Sequence, residues 1–250
     1  AFYMRLRLEE STAYEKASTT TDAPNTHGSQ QFWHLLVQQW RPMLICAALV
    51  LASTAADFML TGYLPTYLKV VVRVGHAAAL VMITATLAIL MVVLVLVAWL
   101  SDHIGVKPIM WTGCGLLIAA SIPAFLLIRS GAGYLVIFIG VLLIGLMELC
   151  FDSTSPATLP ALFPTNVRYG ALAIAYNISL SAVGGSTPVI AQALVSGTGN
   201  ELMPAYMLIF AGLVGAITLP FTPEVAGRRL PGSAPAVETE QEARELVADQ

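Results

Sequence analysis

Residues 77–100 carry no charged side chain, and the run is closed at once by the polar turn Ser101-Asp102-His103-Ile104-Gly105-Val106-Lys107-Pro108. At about 1.5 Å per residue, a helix over this stretch crosses the ~30 Å hydrocarbon core of a bilayer. Lipid offers no partner for a backbone N–H or C=O, so such a run must close its hydrogen bonds within itself, as a helix does. The turn then returns the chain to water before the next apolar run begins.

Five more apolar segments, at about 43–67, 108–128, 132–152, 169–195 and 202–221, bring the count to six. The pattern predicts an all-α membrane protein in which residues 42–222 form a six-helix transmembrane domain. Composition agrees: 57% of residues are hydrophobic and only 11% charged, against about 25% charged in soluble domains. Most charges sit at the two ends and in the short breaks, with few between and no basic patch that would serve nucleic acid. Residues 1–41 read as a polar, linker-like cytoplasmic segment. Its 32–41 stretch (Phe32, Trp33, Leu35, Leu36, Val37, Trp40) suits a short helix lying at the headgroups. Residues 223–250 read as a disordered acidic cytoplasmic tail, with Glu224, Glu238, Glu240, Glu242, Glu245 and Asp249 against three arginines. Neither end shows the short apolar core and cleavage site of a signal peptide.

Six crossings put both termini on one side, and the cations select it. Arg5, Arg7, Lys16, Arg41, Lys107, Arg168, Arg228, Arg229 and Arg244 fall on the side of the termini, against Lys69, Arg73 and Arg129 opposite. Both termini are therefore expected to be cytoplasmic, in a protein integral to the cell (inner) membrane.

Enzyme chemistry finds no support. Cys46, Cys114 and Cys150 are single and embedded in apolar sequence, which suits buried thiols rather than a disulfide framework or a metal site. No zinc-binding, nucleophile-elbow or phosphate-loop motif occurs. His27 and His34 lie in the front segment, while His76 and His103 fall at opposite ends of one predicted span.

Four stretches carry a family resemblance. LSDHIGVKP at 100–108 resembles the cytoplasmic turn of the major facilitator superfamily, usually written GxLSDRxGRK. YMRLRLEES at 3–11 is similar to the charged segment leaving that family's sixth helix, GYLPTYL at 62–68 to its seventh-helix end, and LFPTNVRYGALAIAYN at 162–177 to its signature between the tenth and eleventh helices. Their order and spacing match the metabolite:proton symporter branch. The resemblance implies a six-helix C-terminal half, built as a 3+3 inverted repeat, that works by alternating access against an N-terminal half. It implies a proton-coupled symporter half for a small polar metabolite such as a carboxylate or a zwitterionic osmolyte, driven by the proton gradient and without a cofactor. The alternative is a truncated, non-transporting half acting as a partner or regulatory subunit. In the family the turn latches the two halves through charge pairs, so Asp102, Gly105, Lys107 and Arg168 are the expected cytoplasmic gate. Ala98, His103 and Val106 depart from the family pattern there, and Ala161 from the usual Glu before Phe163-Pro164.

Ionisable residues inside a span are costly and mark function by default. Asp57, Glu148 and Asp152 qualify as proton-coupling candidates. Asp57 falls about fourteen residues into the first span, past the midplane, where a carboxyl could take a proton from outside and release it inward; a structural acid bonded to a neighbouring helix is the other reading. Glu148 and Asp152, at i and i+4, share a helix face. With the fourth helix ending near residue 152, they fall at the cytoplasmic rim, where pairing with Arg168 or Lys107 in an inner gate competes with proton carriage. In the fifth span, Tyr176, Asn177 and Gln192 are substrate-cavity candidates. Gly184-Gly185 and Pro188 should break that helix, either to line a cavity or to pack closely. Tyr63 and Tyr67 bracket Pro65, where interfacial anchoring competes with a place for Tyr63 in the substrate cavity.

The orientation is open to a direct test. Single cysteines introduced as Ala132→Cys and Ile104→Cys in a background lacking the three native cysteines should differ: an impermeant thiol reagent added to whole cells labels the first and spares the second. The reverse pattern would overturn the assignment.

Overall fold

The computed structural model describes residues 39–163 and 168–222. All regular structure among them is helical, in six spans: α1 (Trp40–Val70), α2 (His76–Ile104), α3 in two segments (Val106–Ala119 and Ser121–Arg129), α4 (Tyr134–Ala161), α5 (Arg168–Thr198) and α6 (Met203–Phe221). Five of these are each long and apolar enough to cross a membrane, and the two segments of α3 make the sixth. The linker-like 1–38, residues 164–167 and the tail from 223 lie outside the described residues. Of the predicted headgroup helix only its end is described, and there Trp40 and Arg41 form the first turn of α1, the guanidinium carbon 5.4 Å from the indole centroid.

The departures from straight helix follow proline, which cannot donate to the carbonyl four residues before it. Pro65 leaves the Thr61 carbonyl without that donor, and α1 widens into a π turn over Met59–Tyr63. Pro188 acts likewise on Gly184, and α5 widens over Leu180–Gly184 before resuming at Thr187. The predicted break of the fifth span is found at its expected position. Pro123 accompanies a 49° bend between the segments of α3, which the sequence had suggested as one uninterrupted helix.

The fourth span requires a correction. It does not end at residue 152: after a turn at Ser153-Thr154 the helix resumes as Ser155–Ala161 and continues the span. Pro156 explains the interruption, and the Thr154 hydroxyl donates to the Cys150 carbonyl at 2.8 Å across it.

Packing follows a two-fold pattern. α1 and α4 meet at the centre; α2 packs on α4 and α5 on α1; α3 packs on α4 and α6 on α1; α3 and α6 touch each other. Exchanging the first three helices for the last three leaves this set of neighbours unchanged, as a 3+3 repeat requires. Small residues let the backbones close. A Cβ on Gly140 would lie 2.7 Å from both the Ala124 carbonyl oxygen and Ile128 Cγ1, and one on Gly184 2.6 Å from the Phe58 ring. A Cβ on Gly62 would in turn lie 3.0 Å from Pro188, so the glycine of each π turn packs against a residue just outside the other turn. At the turn after α2, Gly105 sits at φ 102°, a conformation open to glycine, and reverses the chain directly into α3.

Gly140→Leu should therefore split the α3–α4 contact. Overpacking of this kind costs about 1–3 kcal/mol, so detergent-solubilised protein should show a lower apparent Tm and a broadened elution peak. Gly115→Leu, where a Cβ meets nothing within 4 Å, is the control that should behave as wild type.

A carboxyl cluster between α1 and α4

The three intramembrane acids converge. Glu148 on α4 lies within hydrogen-bonding reach of Asp57 on α1 and of Asp152 one turn along its own helix, and the three carboxyls interact electrostatically. Glu148 is 7% exposed, and its Oε2 has no hydrogen-bond partner. The extension of α4 to Ala161 moves this group inward. Glu148 lies fourteen residues after Tyr134 and thirteen before Ala161, so it stands near the middle of the span, not at its rim. Asp57, thirteen residues before Val70, comes to the same depth from α1. Instead of one deep acid and two at the edge, the fold presents one mid-depth cluster, in which the charged groups that act on Glu148 are the acids Asp57 and Asp152.

Local structure holds each member. Asp57 lies in the last turn of the regular part of α1, and the Thr61 hydroxyl donates to its backbone carbonyl at 2.8 Å and lies 3.3 Å from its carboxyl Oδ1. Gly145, one turn before Glu148, lets α2 approach α4, because a Cβ there would collide with Leu90 and come within 3.2 Å of Thr86. Between α2 and α4 this leaves a cavity of about 140 Å³ lined by Leu87, Leu90, Met91, Leu94, Glu148 and Asp152 among others. A larger cavity of about 640 Å³, bounded by α2, α4 and α5, shares Leu94 and Asp152 with it and adds Ser155, Tyr169 and Tyr176.

The substrate-cavity candidates separate. Tyr176 lines the larger cavity. Asn177 is exposed and donates from Nδ2 to the Ala173 carbonyl of its own helix at 2.8 Å, and Gln192 is exposed beyond the π turn; neither borders the two cavities beside the carboxyls. Tyr63 is 1% exposed and lies within the core, so it neither anchors at an interface nor borders those cavities. Tyr67 is equally buried, packs edge-on to Phe125 at 5.4 Å, and donates its hydroxyl to the Glu201 carbonyl at 2.8 Å. Glu201 also pairs with Arg129 at 2.7 Å, which ties α1, α3 and the α5–α6 connection together at the end away from the Ser101–Pro108 turn. Sequence reasoning missed Tyr169, which stands seven residues before Tyr176 on one face of α5; that spacing was the available signal.

At the turn, Asp102 is exposed, Gly105 makes the reversal, and Lys107 lies in the first turn of α3. His103 packs against Trp99 with ring centroids 4.3 Å apart and planes tilted by 42°, and its Nδ1 lies 2.8 Å from the Trp99 carbonyl oxygen, which holds the ring against its own helix. Arg168 is buried at the start of α5 and donates from Nε to the Phe163 carbonyl at 3.1 Å.

Comparison with known proteins places this arrangement among relatives. A family model described as sugar (and other) transporter matches residues 6–234. The proline/betaine transporter of Escherichia coli K12 is 36% identical over 252 residues, covering 99% of this chain and 50% of its own length. A putative proline/betaine transporter of Staphylococcus aureus COL is 34% identical over 242 residues, covering 96% and 51%. The ectoine/proline transporter ProP of Corynebacterium glutamicum is 33% identical over 261 residues, covering 100% and 51%. The chain spans about half the length of these curated relatives and aligns with their C-terminal half.

The two tyrosines should respond oppositely to loss of the hydroxyl. Tyr63 Oη is buried without a partner, so Tyr63→Phe should be neutral or stabilising, whereas Tyr67→Phe gives up a hydrogen bond worth about 1 kcal/mol. Thermal unfolding of the two variants side by side checks this, and a Tyr63→Phe loss as large as that of Tyr67→Phe would refute it.

Proposed function

The chain belongs to the sugar (and other) transporter family of the major facilitator superfamily, a family of membrane transporters and not of enzymes, and from that premise we propose that it forms one half of a proton-coupled symporter for a small polar metabolite. The observation that carries the reading is the cluster of Asp57, Glu148 and Asp152 at mid-depth, where the central helices α1 and α4 meet. Carboxyls are the side chains that can hold a proton in such a place, and the burial of Glu148 is retained at a cost to the fold. Proton entry would neutralise Asp57 and so change the charge that the substrate meets, with Glu148 left to face the substrate.

The substrate class is a carboxylate or a zwitterionic osmolyte. The names of the relatives, which mention proline, betaine and ectoine, support the zwitterion. An N-terminal six-helix half is the partner against which these helices would rock. Asp102, Gly105, Lys107 and Arg168 form its cytoplasmic gate, and both termini face the cytoplasm.

Reconstituted with such a half and energised by a proton gradient, the wild-type protein should accumulate radiolabelled betaine. Asp57→Asn should reduce that uptake by roughly an order of magnitude or more while membrane expression is maintained. Undiminished, still proton-driven accumulation in the Asp57→Asn protein would sink the role given to this residue.

A further inference from the structure

The cavity beside Glu148 has a second property: it is chemically lopsided. Its polar lining consists of the Glu148 and Asp152 carboxyls, while Leu87, Leu90, Met91 and Leu94 supply most of the remaining wall. The basic residues that the structure describes, Arg41, Lys69, Arg73, Lys107, Arg129 and Arg168, all lie within two residues of a helix end or in a connecting loop. No lysine or arginine among the described residues reaches this depth along its span. Glu148 meanwhile is more than nine-tenths buried, borders the cavity, and has an oxygen without a partner.

We propose that this cavity is a binding site for an alkylated ammonium group, with Glu148 as its principal counter-charge and Asp152 at its mouth. The proposal rests on the transporter reading above and deepens it, since it assigns the positive end of the substrate to named residues of this half.

Three physical arguments select that ligand. An inorganic cation needs several oxygen ligands at close range, and leucine walls do not supply them; among the described residues no group of His, Cys, Asp and Glu is arranged to hold a metal. An alkylated ammonium spreads its charge over carbon, so its methyl groups can touch leucine and the Met91 thioether by dispersion while the carboxylate supplies the attraction. The volume also fits: about 140 Å³ is close to the ~150 Å³ of an apolar protein cavity that accepts benzene, and a trimethylammonium head is no larger. A dicarboxylate would instead bring negative charge against three acids. The adjoining larger cavity, reached past Leu94 and Asp152, presents Ser155, Tyr169 and Tyr176 to the other end of a zwitterion.

Equilibrium binding of radiolabelled tetramethylammonium to the purified protein in nanodiscs tests the site without requiring transport. Saturable binding is expected, displaced by betaine but not by equal concentrations of succinate or sodium chloride. Glu148→Gln should weaken it about tenfold or more. Leu94→Trp, which fills the cavity and keeps every carboxyl, should weaken it similarly and decides the matter if Glu148→Gln fails to fold. Absence of saturable binding, displacement by succinate or sodium, or wild-type affinity in a folded variant would overturn the proposal. Proton-driven uptake that persists beside wild-type binding in Glu148→Gln would remove this site and leave the transport reading standing. Glu148-dependent binding without proton-driven uptake would do the reverse.

Discussion

Every backbone group in the hydrocarbon core must find its partner within the protein, and the architecture follows from that constraint. Six spans close their own hydrogen bonds, and the places where they fail to do so are the places with most chemistry. Prolines at 65 and 188 each remove one donor, and the helices respond with π turns whose glycines, Gly62 and Gly184, pack against Pro188 and Phe58 of the facing helix. Asp57 stands at the edge of the first of these turns. Glu148 faces it from α4 at the same depth, within the regular helix Tyr134–Asp152.

The carboxyl cluster runs against what lipid favours. Three acids share one neighbourhood, and Glu148 keeps an oxygen without a hydrogen bond in a buried position. Nothing in the packing of α1 on α4 requires them, since leucine or methionine would fill the same space at less cost. A fold that retains such a cluster at its central helix pair has concentrated its polar chemistry there. The two adjoining cavities give that chemistry something to act on, one small and apolar-walled, the other larger and bearing hydroxyls.

Much of the fold was legible along the chain. Hydropathy marked the six spans, and Pro188 with Gly184-Gly185 marked the break in α5, because both signals act locally through backbone solvation and a missing N–H. The bend in α3 and the continuation of α4 past Asp152 were less legible. Pro123 and Pro156 announce a defect, but whether a helix stops, bends or resumes depends on what packs against it. That single uncertainty misplaced Glu148 and Asp152 at the rim. Tyr63 and Tyr67 were misread for a related reason: tyrosine near a predicted helix end suits an interface equally well, and only Phe125 and the Glu201 carbonyl draw Tyr67 inward.

The sequence by itself determined the solvent, the number of crossings, the family and the identity of the three costly acids, because each follows from short-range composition or from motifs in order. Only the tertiary structure decided that Asp57 meets Glu148, that Tyr169 and Tyr176 share a cavity with Asp152, and that Tyr63 does not. Those facts depend on which faces of antiparallel helices oppose each other. Small residues at the contacts set that choice, and hydropathy, which records burial from water alone, carries no trace of it.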